Sequence, residues 1–242
     1  MLKLMSAEYQ KLKRTFTKKM IWLVPMATML FCAGLSSGEG FQNGSYNWWY
    51  VMMLPGMLTL ICANVIEKDK KKLYYRGILC LPVNPQKIWL GKIGICVFLY
   101  LVSCLTFFAG NVLGGLYYGS SIPMTQNIAG SVLLFITFLW QIPFCMFLTD
   151  RMELFSAVFI NLAGNIGCAI FVAKTSYWWI PYAIPARLMC PVIKVLPNGL
   201  PVPENGPLLS TSVIFPGVLI TFILFIALSV LTALSYRELE AK

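Results

Sequence analysis

The sequence predicts an all-α integral membrane protein with six transmembrane helices. It also predicts an N-terminal interfacial amphipathic helix, a cytoplasmic segment between spans two and three and an outer re-entrant segment before span six. Three observations point there. The 242 residues are 58% hydrophobic and 12% charged, with a mean hydropathy of +0.74, outside the usual range of water-soluble domains. The charges gather in short segments separated by apolar runs of about 20 residues, the length that crosses a hydrocarbon core of roughly 30 Å. Lysine and arginine are also unevenly divided. Six precede span one, seven lie between spans two and three, one lies between four and five and two follow six; only Lys174, Arg187 and Lys194 fall on the other side. The positive-inside rule makes the richer side cytoplasmic, with both termini on it.

Residues 1–19 form the first element. Leu2, Met5, Tyr9, Leu12 and Phe16 recur at spacings of three and four, with Lys3, Lys11, Lys13 and Arg14 largely off that stripe, so the segment reads as an amphipathic helix at the inner interface. Because it is polar and more spans follow, span one reads as an anchor that stays. Spans one to five fill residues 20–172: Met20 to Leu35, Trp48 to Ile66, Ile93 to Leu116, Ile128 to Leu148 and Leu154 to Val172. Tyr46, Trp48, Trp49, Tyr50, Tyr117, Tyr118, Tyr177, Trp178 and Trp179 fall at the outer ends, where amphipathic rings favour the headgroup layer.

Between spans two and three a charge run, Glu67 to Lys72, gives way to an apolar stretch broken by Pro82 and Pro85. The prolines should stop the incoming helix, so that Gln86 to Gly91 starts a short one presenting Ile88, Trp89 and Leu90 at the membrane surface. An apolar surface of that size needs a cover. Residues 173–207 read as the outer re-entrant segment and loop, because Pro181, Pro185, Pro191 and Pro197 interrupt them and Arg187 and Lys194 would cross the core unpaired. Residues 208–242 supply span six, Leu208 to Leu234, and a cytoplasmic tail. The whole chain is one transmembrane domain.

Several classes of chemistry are excluded. There is no histidine, which removes Ser/His and Cys/His dyads and HExxH zinc sites. No GxxxxGK loop occurs, so ATP is not hydrolysed by that route. Asp150, Arg151 and Glu153 lack a further ligand for a metal and read as a solvated hairpin with an internal ion pair. Of eight cysteines, six lie in apolar spans and Cys80 in a basic segment; only Cys190 reads as external. The net charge of +10 points to anionic lipid at the inner leaflet and not to nucleic acid. Asn161 and Asn165, one helical turn apart, suit interhelical hydrogen bonds or, alternatively, a substrate-lining face. Gly110 and Gly114 form a GxxxG motif that supports tight packing.

Six spans, a basic helix containing Glu8-Tyr9-Gln10-Lys11-Leu12-Lys13-Arg14-Thr15, the sequence Leu81-Pro82-Val83 followed by Lys87-Ile88-Trp89-Leu90-Gly91-Lys92, and an outer segment before the last span together resemble the type-2 ABC-transporter permeases. Trp178-Trp179-Ile180-Pro181-Tyr182, Arg187 and Leu196-Pro197-Asn198-Gly199 are similar to the lantibiotic self-protection permeases of low-GC Gram-positive bacteria. The resemblance implies a non-catalytic half-transporter in the cytoplasmic membrane. It would pair with a second related permease and two copies of a cytoplasmic ATPase, which carries the ATP and Mg, and would expel antimicrobial peptides. Carried onto this chain, the ATPase-coupling residues are Lys11, Arg14, Pro82, Lys87, Ile88, Trp89, Leu90 and Lys92, and the outer gate is Trp178, Trp179, Pro181, Tyr182 and Arg187. Two alternatives stand beside it: an ion-coupled secondary carrier, for which no span supplies a midplane ionisable residue, and an immunity scaffold that sequesters a peptide without transport.

Overall fold

The computed structural model describes residues 2–13, 15–35, 40–73, 84–203 and 206–237. Among these the fold is helical apart from one isolated bridge, Val195 to Pro201, and six helices are long and apolar enough to cross a membrane. Arg14 and Pro82 lie outside the described residues.

Helix α1 spans Leu2–Lys11 and α2, the first span, Thr17–Leu35. The second span begins earlier than the sequence suggests. It runs as α3 (Phe41–Trp48), a π-helical bulge (Trp49–Met53) and α4 (Leu54–Leu73). Pro55 gives the bulge its cause: it cannot donate to the carbonyl of Val51 and would crowd it in a regular helix, so the chain widens there. The early start moves the aromatic cluster inward. Tyr46, Trp49 and Tyr50 are buried, one to three turns inside the helix, where the sequence reading put them in the headgroup belt.

The third span, α5, is one helix of 34 residues, Pro85–Tyr118, about 51 Å long at 1.5 Å per residue. That exceeds a bilayer core, so the separate short helix expected at Gln86 to Gly91 is the first turns of span three. Asn84 caps it, its side chain accepting from the Gln86 backbone N–H at 2.9 Å, and Pro85 occupies the first turn, where no backbone donor is needed.

Span four is α6 (Met124–Phe138) and α7 (Gln141–Arg151), broken at Leu139 and Trp140. Pro143 would clash with the carbonyl of Leu139 in a continuous helix. Span five is α8 (Leu154–Gly167) with a terminal π bulge, Cys168–Val172. The outer segment holds α9 (Ile184–Ile193). Its prolines do not prevent a helix: Pro185 sits in the first turn and Pro191 in the last. Two 3-10 turns, Pro207–Leu209 and Thr211–Val213, lead to α10 (Ile214–Arg237), so span six becomes regular helix six residues later than expected. The α3–α4 and α6–α7 spans form the centre, with 67% and 61% of their apolar windows buried against 17% for α10.

Candidate functional site

At the end of the bundle that holds α1, three helices meet in a charged network. The small Gly91 and Gly94 let α1 approach α5: a Cβ on Gly91 would lie 3.2 Å from Leu4, and one on Gly94 3.0 Å from the Met5 sulfur. This seats Glu8 and Leu12 in buried positions. Lys11 Nζ donates to Glu8 Oε1 at 2.7 Å and to Asp69 Oδ1 at 3.0 Å. The ammonium of Lys92, fully buried on α5, pairs with the same Asp69 carboxylate, and Lys68 donates to the Lys11 carbonyl. Burial opposes the charge on Lys11, but Glu8 and Asp69 outweigh it and hold its pKa above the ordinary lysine value. A buried ammonium is tolerated only with such a partner.

The next turn back on α5 corrects an expectation. Ile88 and Trp89 do not face outward. Trp89 is 1% exposed; its Nε1–H donates to Thr232 Oγ1 at 2.9 Å and its ring lies against Tyr236 with centroids 4.7 Å apart. The cover over the Trp89 indole is the last helix of the same chain. Lys87 and Leu90, three residues apart on one face, remain exposed. Where the end of α4 meets the turn between α7 and α8 opens a cleft of about 690 Å³ lined by Glu67, Lys70, Arg151, Met152, Glu153 and Phe155 among others. Lys70 donates to the Asp150 carbonyl at 2.8 Å and Arg151 to Ser235 at 3.2 Å, so this hairpin is tied to α4 and α10.

At the far end, the residues expected at the outer gate pack inward to different degrees. Tyr182 lies edge-on to Trp140 at 4.8 Å and closes over Gly164, where a Cβ would come within 3.0 Å of its ring. Trp178 is half-buried, Pro181 partly covered and Trp179 53% exposed. Arg187 is buried, donating through Nη1 to the Leu208 carbonyl at 2.7 Å and through Nη2 to that of Pro207 at 3.4 Å. It straps α9 to the turn preceding α10. Cys190, expected to be external, is buried on α9.

Asn161 and Asn165 are both buried, and their amides are engaged by other helices. The Asn161 amide donates to Thr59 Oγ1 at 2.9 Å and to Gln141 Oε1 at 3.0 Å, and Gln141 donates in turn to Asn165 Oδ1 at 3.0 Å. This knot joins α4, α7 and α8. Sequence reading missed its hub, Gln141, and a second knot in which the Tyr46 hydroxyl donates to Asn127 Oδ1 at 2.6 Å. For Gln141 the available signal was a lone carboxamide in an apolar run. In the sequence Asp69 reads only as part of the Glu67 to Lys72 charge run, and Glu8 only as part of the basic N-terminal helix.

The sequence model of the family described as "ABC-2 family transporter protein" matches residues 4–173, well over half of the chain. That stretch includes most of α1, the charged network and the first five spans. No curated protein and no solved structure matches the chain.

Proposed function

The chain belongs to the ABC-2 transporter family, the permease subunit of an ABC transporter whose partner is an ABC ATPase, and on that premise we propose that it exports antimicrobial peptides of the lantibiotic kind from the cytoplasmic membrane. The observation that carries this reading is the distribution of charge. Among the described residues the acidic and basic side chains lie toward the two ends of the bundle, with Lys92 two turns into α5 and Arg187 on the short α9, while the middle of the spans is held by the amides of Asn111, Asn127, Gln141, Asn161 and Asn165. Ion- or proton-coupled carriage normally uses ionisable groups near the midplane. An uncharged interior favours instead a substrate drawn from the bilayer, with the energy supplied by ATP and Mg on the partner.

Two ATPase copies, a second related permease as heterodimer partner and cytoplasmic termini complete the proposal. In it, Lys87 and Leu90 meet the ATPase, the Glu8–Lys11–Asp69–Lys92 network carries its movement into α1 and α5, and the Tyr182–Arg187 element is the outer gate. Deleting the gene should sensitise its host to a lantibiotic in a panel, with restoration by the gene in trans. Unchanged sensitivity across the panel, with the ATPase and partner permease expressed, would sink the substrate assignment. Binding of the peptide by a complex with inactivated ATPase, with resistance retained, would favour sequestration over export.

A further inference from the structure

Where α1 turns into α2 the surface is concave, with a cavity of about 730 Å³. Its two ends differ in chemistry. Lys13, Lys18 and Lys19 stand around the first turn of α2, and no carboxylate is among the described residues that line the cavity. Lys13 and Lys19 are exposed and have no acidic partner among the described residues, unlike Lys11 and Lys92, whose charges Glu8 and Asp69 neutralise. Lys18 is held in place over the Tyr9 ring, 3.5 Å from its centroid.

Further along α2 the same cavity is lined by Trp22, Leu23 and Met26, each more than half exposed. Residues four apart share a helix face, so 18 and 19 are followed by 22 and 23 and then 26. Each such step moves about 6 Å along the helix axis. Cations thus stand at the mouth and an apolar wall runs from them into the membrane. The start of a helix adds positive potential of its own.

We infer that this cavity is a discrete binding site for an anionic phospholipid, with the phosphate held by Lys13, Lys18 and Lys19 and one acyl chain laid along Trp22, Leu23 and Met26. Charge complementarity chooses the head and the exposed apolar wall requires a tail, so a free phosphate or a zwitterionic lipid satisfies only half of the surface. Its walls come from the turn that follows α1 and from the start of the first span, so an occupant covers that junction. The inference does not depend on the transported substrate.

The full chain, purified in mild detergent, can be offered equimolar phosphatidylglycerol and phosphatidylcholine of matched chains and examined by native mass spectrometry. Phosphatidylglycerol should be retained on the order of tenfold better, given the contribution of each lysine near an anionic surface. Lys13→Gln with Lys19→Gln should erase that preference and leave phosphatidylcholine retention unchanged. Brominated phosphatidylglycerol should quench a tryptophan component that Trp22→Phe lacks, which reports on the site in protein with its lysines intact. Equal retention of the two lipids, or a preference surviving in the double variant, would overturn the proposal. So would displacement of the bound lipid by millimolar glycerol phosphate, which would make the site one for soluble phosphates.

Discussion

Replacing Trp89 with alanine removes an indole that is buried on every side and bonded to Thr232, so the expected effect is on the protein's own stability. A deletion of that size in a packed core costs roughly 3–5 kcal/mol, whereas Trp89→Phe keeps most of the contact and loses one hydrogen bond, about 1 kcal/mol. Thermal unfolding in detergent should rank them wild type, Phe, Ala. If Trp89→Ala unfolds like the wild type but releases the ATPase, the residue faces a partner and not α10. Lys87→Glu is the complementary variant. It sits on the exposed face of the same turns, so it should leave unfolding unchanged and weaken ATPase retention, more at low salt than at high. A third residue-scale expectation concerns Asp69. Asp69→Asn leaves Lys92 buried without its counter-charge, a loss of roughly 3–5 kcal/mol. Asp69→Leu combined with Lys92→Met should recover most of it, because two apolar groups need no partner. If Asp69→Asn is as stable as the wild type, the Lys92 ammonium reaches water and the network is not a structural joint.

At the scale of elements, glycines decide how closely helices approach. Gly110 and Gly114 face helices of the same chain: a Cβ on Gly110 would fall on Met29 of α2, and one on Gly114 would lie 2.1 Å from the ring of Phe41 on α3. Phe41 is buried and its ring stacks on Tyr118, so it has little room to yield. Gly114→Ala should therefore destabilise by about 1–3 kcal/mol through overpacking. Gly34→Ala on α2, which meets nothing within 4 Å, should be neutral or stabilising by up to about 1 kcal/mol. Comparing the unfolding temperatures of the two variants checks the packing directly. This is also where legibility in the sequence ended. Span number and order follow from apolar length, which is local. Asn84 and Pro85 mark the start of α5 through capping chemistry that is local too. What α5 touches is not local: nothing in Lys87 to Lys92 tells that Thr232 and Tyr236, some 140 residues later, cover Trp89. The bulge before Pro55 and the break before Pro143 had a local cause, and both prolines are plain in the sequence, but whether a proline kinks, bulges or interrupts a helix depends on its neighbours.

For the molecule as a whole, the uneven distribution of lysine and arginine makes a claim about sidedness that accessible amines can test. Lys13 and Lys19 are exposed at one end of the bundle and Lys174 and Lys194 at the other. An impermeant amine reagent applied to intact cells should therefore modify Lys174 and Lys194 and leave Lys13 and Lys19 to inverted vesicles, read by peptide mass spectrometry. Cys190 supplies an internal control, because it shares the outer segment with Lys194 yet is buried. Burial pushes its thiol above the ordinary cysteine value and outweighs the opposing influence of Arg187 and Lys174. Since the thiolate is the reactive form, an impermeant maleimide near neutral pH should miss it from both sides and reach it only after denaturation. Labelling of Cys190 in intact cells would show that α9 opens to the outside in the resting protein, so that the Arg187 strap on the Pro207 and Leu208 carbonyls is only transiently closed. Labelling of Lys13 from outside would invert the whole arrangement, moving the charged network, Lys87 and the cleft at the end of α4 to the external face. An ATPase could not then reach them, and the charge asymmetry would lose its reading as a marker of the cytoplasmic side.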